Sequence, residues 1–269
     1  MIGFIGCGNM ASAIIRGLVK SEACKGEEIS VYDIDAEKSI ALSDELSLVR
    51  AVSTTEIAEK CDTVVLAVKP NVLADVLYGI CDSLKLYDPL IISIAAGKST
   101  DYIESYLPYE PRLVRIMPNI NATCGASVTA YCGNGRVESE RGLIDLATAK
   151  TFCSSFGAAF RLQEHQFSIF SAMAGCSPAF VYMFIDSIAR AGVKYGMPRA
   201  QAVEIARAAV HGSALMMGDS DKHPMELVDA VCSPGGTTVE GVCALKEFGF
   251  ETAVEKAVEA SYNKDKALR

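Results

Sequence analysis

Uninterrupted apolar runs and helix-spaced apolar positions alternate along the first half of the chain. Ile2 to Ile5 form one run, Ala11, Ile14, Ile15 and Leu18 then recur at helical spacing, and Ile29 with Val31 begin a second run. This pattern predicts strand, helix, strand. Further apolar runs at residues 64–68, 90–95 and 113–117 are separated by segments 56–60 and 72–77 that suit helices. Strands that are continuously apolar, rather than alternating, imply a parallel sheet covered on both faces.

After about Leu162 the strand pattern stops. Helical periodicity runs through residues 180–194, 199–217, 224–231, 238–247 and 252–265, so a second, all-helical domain is expected. Turn residues fall where these helices should begin or end: Gly196 before Pro198, His223 before Pro224, and Ser233-Pro234-Gly235-Gly236 before the fourth. The expected division is 1–162 and 163–269, with no repeat, low-complexity segment or long linker. Residues 165–185 carry no acid, Lys or Arg and are long enough to span a bilayer, but they hold Gln166, three serines, Gly175 and Pro178. A helical-domain interior or a subunit interface fits them better than a membrane.

Composition narrows the function classes. A length of 269 residues suits one large or two modest domains at roughly 150 residues each, and half the residues are hydrophobic, enough for a substantial core. The net charge of -8, with no basic cluster, argues against nucleic acid or an anionic membrane as partner. The ten cysteines form no C-x-x-C pair and no metal-ligand spacing, so buried free thiols in a reducing cytoplasm are expected, and no metal. The opening apolar run has no basic residue before it and breaks at Gly6, so no export signal is read.

Chemistry enters with Gly6-Cys7-Gly8-Asn9-Met10-Ala11, a G-x-G-x-x-A placed directly after a strand and before an amphipathic helix. Gly6 permits a tight turn, Gly8 lets a pyrophosphate approach the backbone, and Ala11 lets helix and strand pack closely. The second strand ends at Asp33, 22 residues beyond Ala11, where an acid is expected to accept a ribose hydroxyl. Together these predict a Rossmann-type, doubly wound dinucleotide-binding domain taking NADPH or NADH. Asp33 would repel a 2'-phosphate, and only Lys38 follows it closely, so charge alone favours NADH.

The second motif is Ser233-Pro234-Gly235-Gly236-Thr237-Thr238-Val239-Glu240, which combines a rigid turn with a capping box having Thr237 as N-cap and Glu240 three residues on. Inward-turned N–H groups, hydroxyls and a positive helix end suit a small carboxylate. The same letters also suit a well-capped helix without a ligand, and chain position does not decide between them.

These motifs, with Ala67-Val68-Lys69-Pro70, Ser93-Ile94-Ala95-Ala96-Gly97, Arg115-Ile116-Met117-Pro118-Asn119, Pro178-Ala179-Phe180 and Ala191-Gly192-Val193-Lys194, make the chain resemble the pyrroline-5-carboxylate reductases nearly end to end. The 233–238 segment is the most specific part of that resemblance. It implies an N-terminal domain binding NAD(P)H through Gly6, Cys7, Gly8, Asn9, Met10, Ala11, Asp33, Ala67, Lys69, Pro70, Ala95 and Gly97. It further implies a C-terminal helical dimerisation domain, interlocked with that of a second subunit. Ser233, Gly235, Gly236, Thr237, Thr238 and Glu164 would contact the substrate, and Thr238 would be the catalytic hydroxyl. Three positions depart from the family pattern: Gly175-Cys176-Ser177 stands for Gly-Ser-Gly, Ile120-Asn121 for Thr-Pro, and Thr54 for an asparagine near the adenine.

The expected reaction is hydride transfer to the carbon of a cyclic imine carboxylate, with a proton to nitrogen. His165, His211 and His223 sit at helix edges or turns and read as surface or packing residues, Lys69 as a cofactor contact, and Cys176 as buried filler. Two other readings remain open. A different two-domain imine or hydroxyacid dehydrogenase would need an acid such as Lys194, and a non-catalytic dinucleotide sensor would keep the fold alone.

Overall fold

The computed structural model describes residues 1–267 and forms two compact units, Met1–Gly175 with the stretch from Tyr262 onward, and Cys176–Ser261. The first unit is built on strands β1 (Ile2–Ile5), β2 (Ile29–Tyr32), β3 (Val49–Arg50), β4 (Thr63–Leu66), β5 (Leu90–Ser93), β6 (Arg112–Met117), β7 (Ser127–Gly133) and β8 (Gly157–Arg161). They form one sheet in the order β3-β2-β1-β4-β5-β6-β7-β8. Its helices are α1 (Asn9–Lys20), α2 (Ala36–Leu46), α3 (Thr54–Lys60), α4 (Leu73–Tyr87), α5 (Thr100–Glu104), α6 (Gly135–Glu138), α7 (Leu143–Ser154) and α8 (Phe167–Phe170).

Strand pleating sorts the apolar runs onto two faces. Phe4, Val65, Ile92 and Val114 pack with Ile14, Ile15 and Leu18 of α1 and Phe152 of α7. Ile5, Val64, Leu66, Ile91 and Leu113 pack with Ile57 of α3 and Leu73, Leu77 and Ile80 of α4. Two buried faces are why these strands read as unbroken apolar runs. Phe152 sits in the middle of one layer, its ring 6.3 Å from Phe4 and 5.6 Å from Phe156.

The sheet departs from the all-parallel expectation at one side. β3 through β6 are parallel, but β7 runs antiparallel to β6, and β8 is parallel to β7. Residues 118–126 between β6 and β7 hold only a short 3-10 turn, Ile120–Cys124, and cannot supply the crossover that a parallel partner requires. β8 escaped notice because Gly-Ala-Ala-Phe-Arg carries little strand pattern and is mostly open to solvent. Residues 163–175, expected with the helical domain, belong to the first unit because Phe167 and Phe170 are buried beside Ala130 and Cys132 of β7.

The remaining helices are α9 (Ser177–Lys194), α10 (Arg199–Gly218), α11 (Pro224–Val231), α12 (Thr237–Glu247) and α13 (Phe250–Lys266). His223 caps α11 as its sequence suggested: its Nδ1 accepts the Met225 N–H at 3.2 Å, while Glu226 accepts the His223 N–H at 2.8 Å. Within the second unit the fully buried apolar cluster comprises Ala189, Ala202 and Ala206, flanked by Ile185, Met197 and Val203. Tyr182, Met183, Ile188, Val193, Met216, Met217 and Val231 are exposed on the single chain. The helical run Glu164–Lys194 is long and apolar enough to cross a membrane by length and composition.

Gly157 opens β8 at φ +150°, where a Cβ would lie 2.0 Å from the Ser127 carbonyl oxygen of the paired strand. Gly157→Ala is expected to destabilise the first unit by about 3 kcal/mol, from backbone strain and a clash that neither backbone can relieve. Urea unfolding followed by tryptophan-free far-UV circular dichroism reads this as a lower midpoint, and an unchanged midpoint would contradict the stated conformation.

Candidate dinucleotide and substrate sites

β1 lies between β2 and β4, so the strand order reverses there and a crevice opens beyond the carboxyl ends of these strands. The chain segments leaving those ends are tied together. Gly6 N donates to Tyr32 O at 2.8 Å, Ala67 N to Ile5 O at 2.9 Å, and Ile94 N to Leu66 O at 3.1 Å. Sequence-predicted Gly6, Asp33, Ala67 and Ala95 thus come together at one end of the sheet.

Gly6 has φ +104°, and a Cβ on it would stand 2.7 Å from the Ala67 carbonyl oxygen, so the close passage of two backbones requires glycine. Gly8 differs. Its backbone is ordinary extended chain (φ -69°, ψ 179°) at the N-cap of α1, and a Cβ there would meet nothing within 4 Å. Nothing in the fold needs a glycine at that position, whereas an anion approaching the first turn of α1 does. Gly8 and Asn9 are exposed, Met10 is half-buried, and Ala11 is buried under the helix. The cradle therefore fits the pyrophosphate of a dinucleotide.

Asp33 is half-buried and braces this turn: its Oδ2 accepts the Cys7 N–H at 2.7 Å and its Oδ1 the Asp35 N–H at 2.9 Å. A carboxylate has further lone pairs, so bracing does not exclude a ribose hydroxyl. Lys38, the cation nearest in sequence, pairs with Asp35 at 3.1 Å. Burial, and then the neighbouring Asp33, push the Cys7 thiol up to about 12, so it stays protonated and unreactive. Lys69 is exposed just beyond β4, with Pro70 half-buried after it, and Gly97 adopts φ +72° in the turn after β5.

Glu164 is held, not solvated. Its Oε1 accepts the Thr100 N–H at 2.8 Å and Arg115 Nη1 at 2.9 Å, and its Oε2 accepts the Thr100 hydroxyl at 2.7 Å. Burial alone would push its carboxyl up, but the bonds from Thr100 and Arg115 outweigh burial and hold it below the ordinary carboxylate range. Arg115 is buried, with its guanidinium 4.5 Å above the Phe167 ring. Buried Asn119 donates its Nδ2 to the Ala174 carbonyl at 2.9 Å, and its Oδ1 accepts the Val128 N–H at 3.2 Å. In the sequence Arg115 and Asn119 stand only within a motif, and for Arg115 the signal of a buried role is a charge inside an apolar strand.

In the second unit, the 233–238 turn closes through Gly236 N to Ser233 O at 3.0 Å, with Gly235 at φ +67°. The expected capping box does not form. Gly236 is the N-cap, Thr237 and Thr238 are the first helical residues of α12, and no side chain caps the end. The helix starts one residue early, and a Cβ at Gly236 would lie 2.3 Å from Ser233 Oγ and 3.1 Å from the Ser233 carbonyl oxygen, so glycine suits this tight turn. The consequence is an uncapped helix N-terminus with exposed Ser233, Thr237 and Thr238, whose first-turn N–H groups lack intrahelical partners. Lys194 is exposed in the last turn of α9, 5.6 Å from the Tyr195 ring centroid, and His165, His211 and His223 are exposed.

A doubly wound sheet with an open glycine cradle at its switch point, joined to a helical unit, defines a two-domain dinucleotide-binding oxidoreductase. The family described as NADP oxidoreductase, coenzyme F420-dependent, matches residues 1–97, and that described as pyrroline-5-carboxylate reductase dimerisation matches residues 164–268. The chain is 40% identical to the pyrroline-5-carboxylate reductase of Escherichia coli over 99% of its own length and 97% of the relative's. The NADP-bound pyrroline carboxylate reductase of Plasmodium falciparum superposes with TM-score 0.86 at 32% identity, covering 99% of this chain and 97% of that one. The reductase of Coxiella burnetii gives 0.92 at 28% identity, with the same coverage. The chain belongs to the pyrroline-5-carboxylate reductase family.

Gly8→Val is expected to abolish dinucleotide binding while costing the fold about 1 kcal/mol at most, the N-cap preference of glycine over valine. Calorimetric titration with NADPH and NADH, beside a thermal melt, separates the two effects; unaltered affinity would remove the cradle from the cofactor site.

Proposed function

We propose that this chain reduces 1-pyrroline-5-carboxylate to L-proline with NADPH or NADH, the last step of proline biosynthesis, as a cytoplasmic homodimer. The observation that carries the reading is the Gly8 cradle, open without structural need, in a chain related end to end to such reductases. The reduced nicotinamide supplies the hydride. Gly8, Asn9 and Met10 would meet the pyrophosphate, with Gly6, Cys7 and Ala11 shaping the turn beneath it, Asp33 would take the adenine ribose, and Ala67, Lys69, Pro70, Ala95 and Gly97 the remainder of the cofactor.

The chain's part toward the imine is placement and charge. First-turn N–H groups of α12 and the Ser233 hydroxyl hold the substrate carboxylate, and the glycines keep that approach free of side chains. Thr238 then offers its hydroxyl to the ring nitrogen. An imine that binds already protonated needs a positioned hydrogen-bond partner more than a strong acid, which agrees with the exposed setting of all three histidines.

The second unit's surface supports dimerisation. An alanine cluster cannot account for helices that expose Tyr182, Met183, Ile188 and Val193, and a second copy would bury them. The ten cysteines are free thiols, as a reducing compartment would keep them, but not all are buried as expected: Cys176 is half-buried, and Cys124 and Cys243 are exposed.

Loss of absorbance near 340 nm on mixing the protein, NADPH or NADH and the imine tests the reaction. In that assay Thr238→Ala should lower turnover on the order of 100-fold with little change in cofactor affinity; undiminished turnover would take Thr238 out of the mechanism. Sedimentation should find a dimer or a multiple of it, and Met183→Asp should shift it toward monomer. A wild-type monomer at micromolar concentration would contradict the assembly.

A further inference from the structure

We infer that Glu164 serves the nucleotide side of the reaction, as a positioning residue that fixes the 95–97 turn through Thr100, and does not contact the imine. This rests on the proposed reading that Ala95 and Gly97 face the cofactor. The carboxylate of Glu164 is already committed: it receives the Thr100 N–H, the Thr100 hydroxyl and Arg115 Nη1 at 2.8, 2.7 and 2.9 Å. Of the roughly four lone-pair sites on a carboxylate, three are thereby filled from inside the protein.

The cluster is fixed from behind. The Arg115 side chain is 4% exposed, and its guanidinium lies against the fully buried ring of Phe167, so it cannot swing away to follow a substrate. In front, only Lys98 and Ser99 separate Gly97 from Thr100. Lys98 N closes back on Ala95 O at 3.4 Å, and Ser99 Oγ accepts the Tyr102 N–H at 3.1 Å. With so little slack, the point at which Thr100 is anchored sets where the turn leaves β5. Glu164 reaches that point from 64 residues away in sequence, and it ties the turn to the entry of the helical run Glu164–Lys194.

Full-length Glu164→Gln, Thr100→Val and Thr100→Ser test the inference by fluorescence titration with NADPH and NADH and by steady-state kinetics in the imine. Glu164→Gln and Thr100→Val should each weaken dinucleotide binding about tenfold, the loss of a charge-assisted bond that orders the turn. The imine KM at saturating cofactor should stay within about twofold, because no substrate contact is removed. Thr100→Ser, which keeps the hydroxyl donor, should restore wild-type affinity. If Glu164→Gln does not fold, the contrast between valine and serine at Thr100 decides alone. A raised imine KM with unchanged dinucleotide affinity would make Glu164 a substrate contact and overturn the inference. Wild-type protein that binds neither dinucleotide overturns the proposed reaction and this inference together, whereas wild-type binding that neither variant weakens overturns the inference alone.

Discussion

The passage of the chain over the carboxyl end of β1 constrains the first unit more than any other contact. At Gly6 the backbone turns with φ +104° against the Ala67 carbonyl, leaving no room for a Cβ. That turn lets α1 start immediately, brings buried Ala11 against the sheet, and aims the first turn of the helix into the crevice between β2 and β4. Asp33 then clamps the same turn through the Cys7 N–H. Removing the glycine would displace the helix start, and with it both the packing of α1 and the anion cradle.

Sequence legibility follows the same physics. Ile2–Ile5, Thr63–Leu66 and Leu90–Ser93 were visible because strands buried on both faces must be apolar throughout, and α1 because one face carries Ile14, Ile15 and Leu18. β7 and β8 lie where the sheet stops being all parallel, with β7 still buried on both faces and β8 mostly open to solvent. There the run Ser-Val-Thr-Ala-Tyr-Cys-Gly mixes hydroxyls with apolar groups, and the antiparallel turn has no glycine-asparagine signature to announce it.

The two kinds of glycine show where local reading reaches its limit. From letters alone, Gly6 and Gly8 have distinct expected roles, whereas Gly235 and Gly236 look equivalent. In the structure Gly6 is required by the backbone of Ala67, Gly8 has open space where a Cβ would stand, Gly235 takes φ +67°, and Gly236 lies close to the Ser233 side chain. The Thr237 capping box does not form, because the helix takes Gly236 as its N-cap and Thr237 falls inside it, leaving the first-turn N–H groups without a side-chain cap. Arg115 with Glu164 was beyond local reading altogether, because the partners lie in elements far apart in sequence and meet only when β6 and the 164–166 turn are placed.

The second unit follows a different logic from the first. Its buried cluster of alanines lets α9 and α10 approach closely but buries little area, and at about 25 cal/mol per Å2 such a core contributes little toward the ordering entropy of five helices. The larger side chains, Tyr182, Met183, Met216, Met217 and Val231, point outward on the single chain. Small residues between neighbouring helices with large ones outside is the inverse of a monomeric helical core, and it is the distribution expected of a half-core completed by a second copy. The same inversion explains how a run as apolar as Glu164–Lys194 satisfies the length test for a bilayer: burial against protein and burial in lipid select the same side chains.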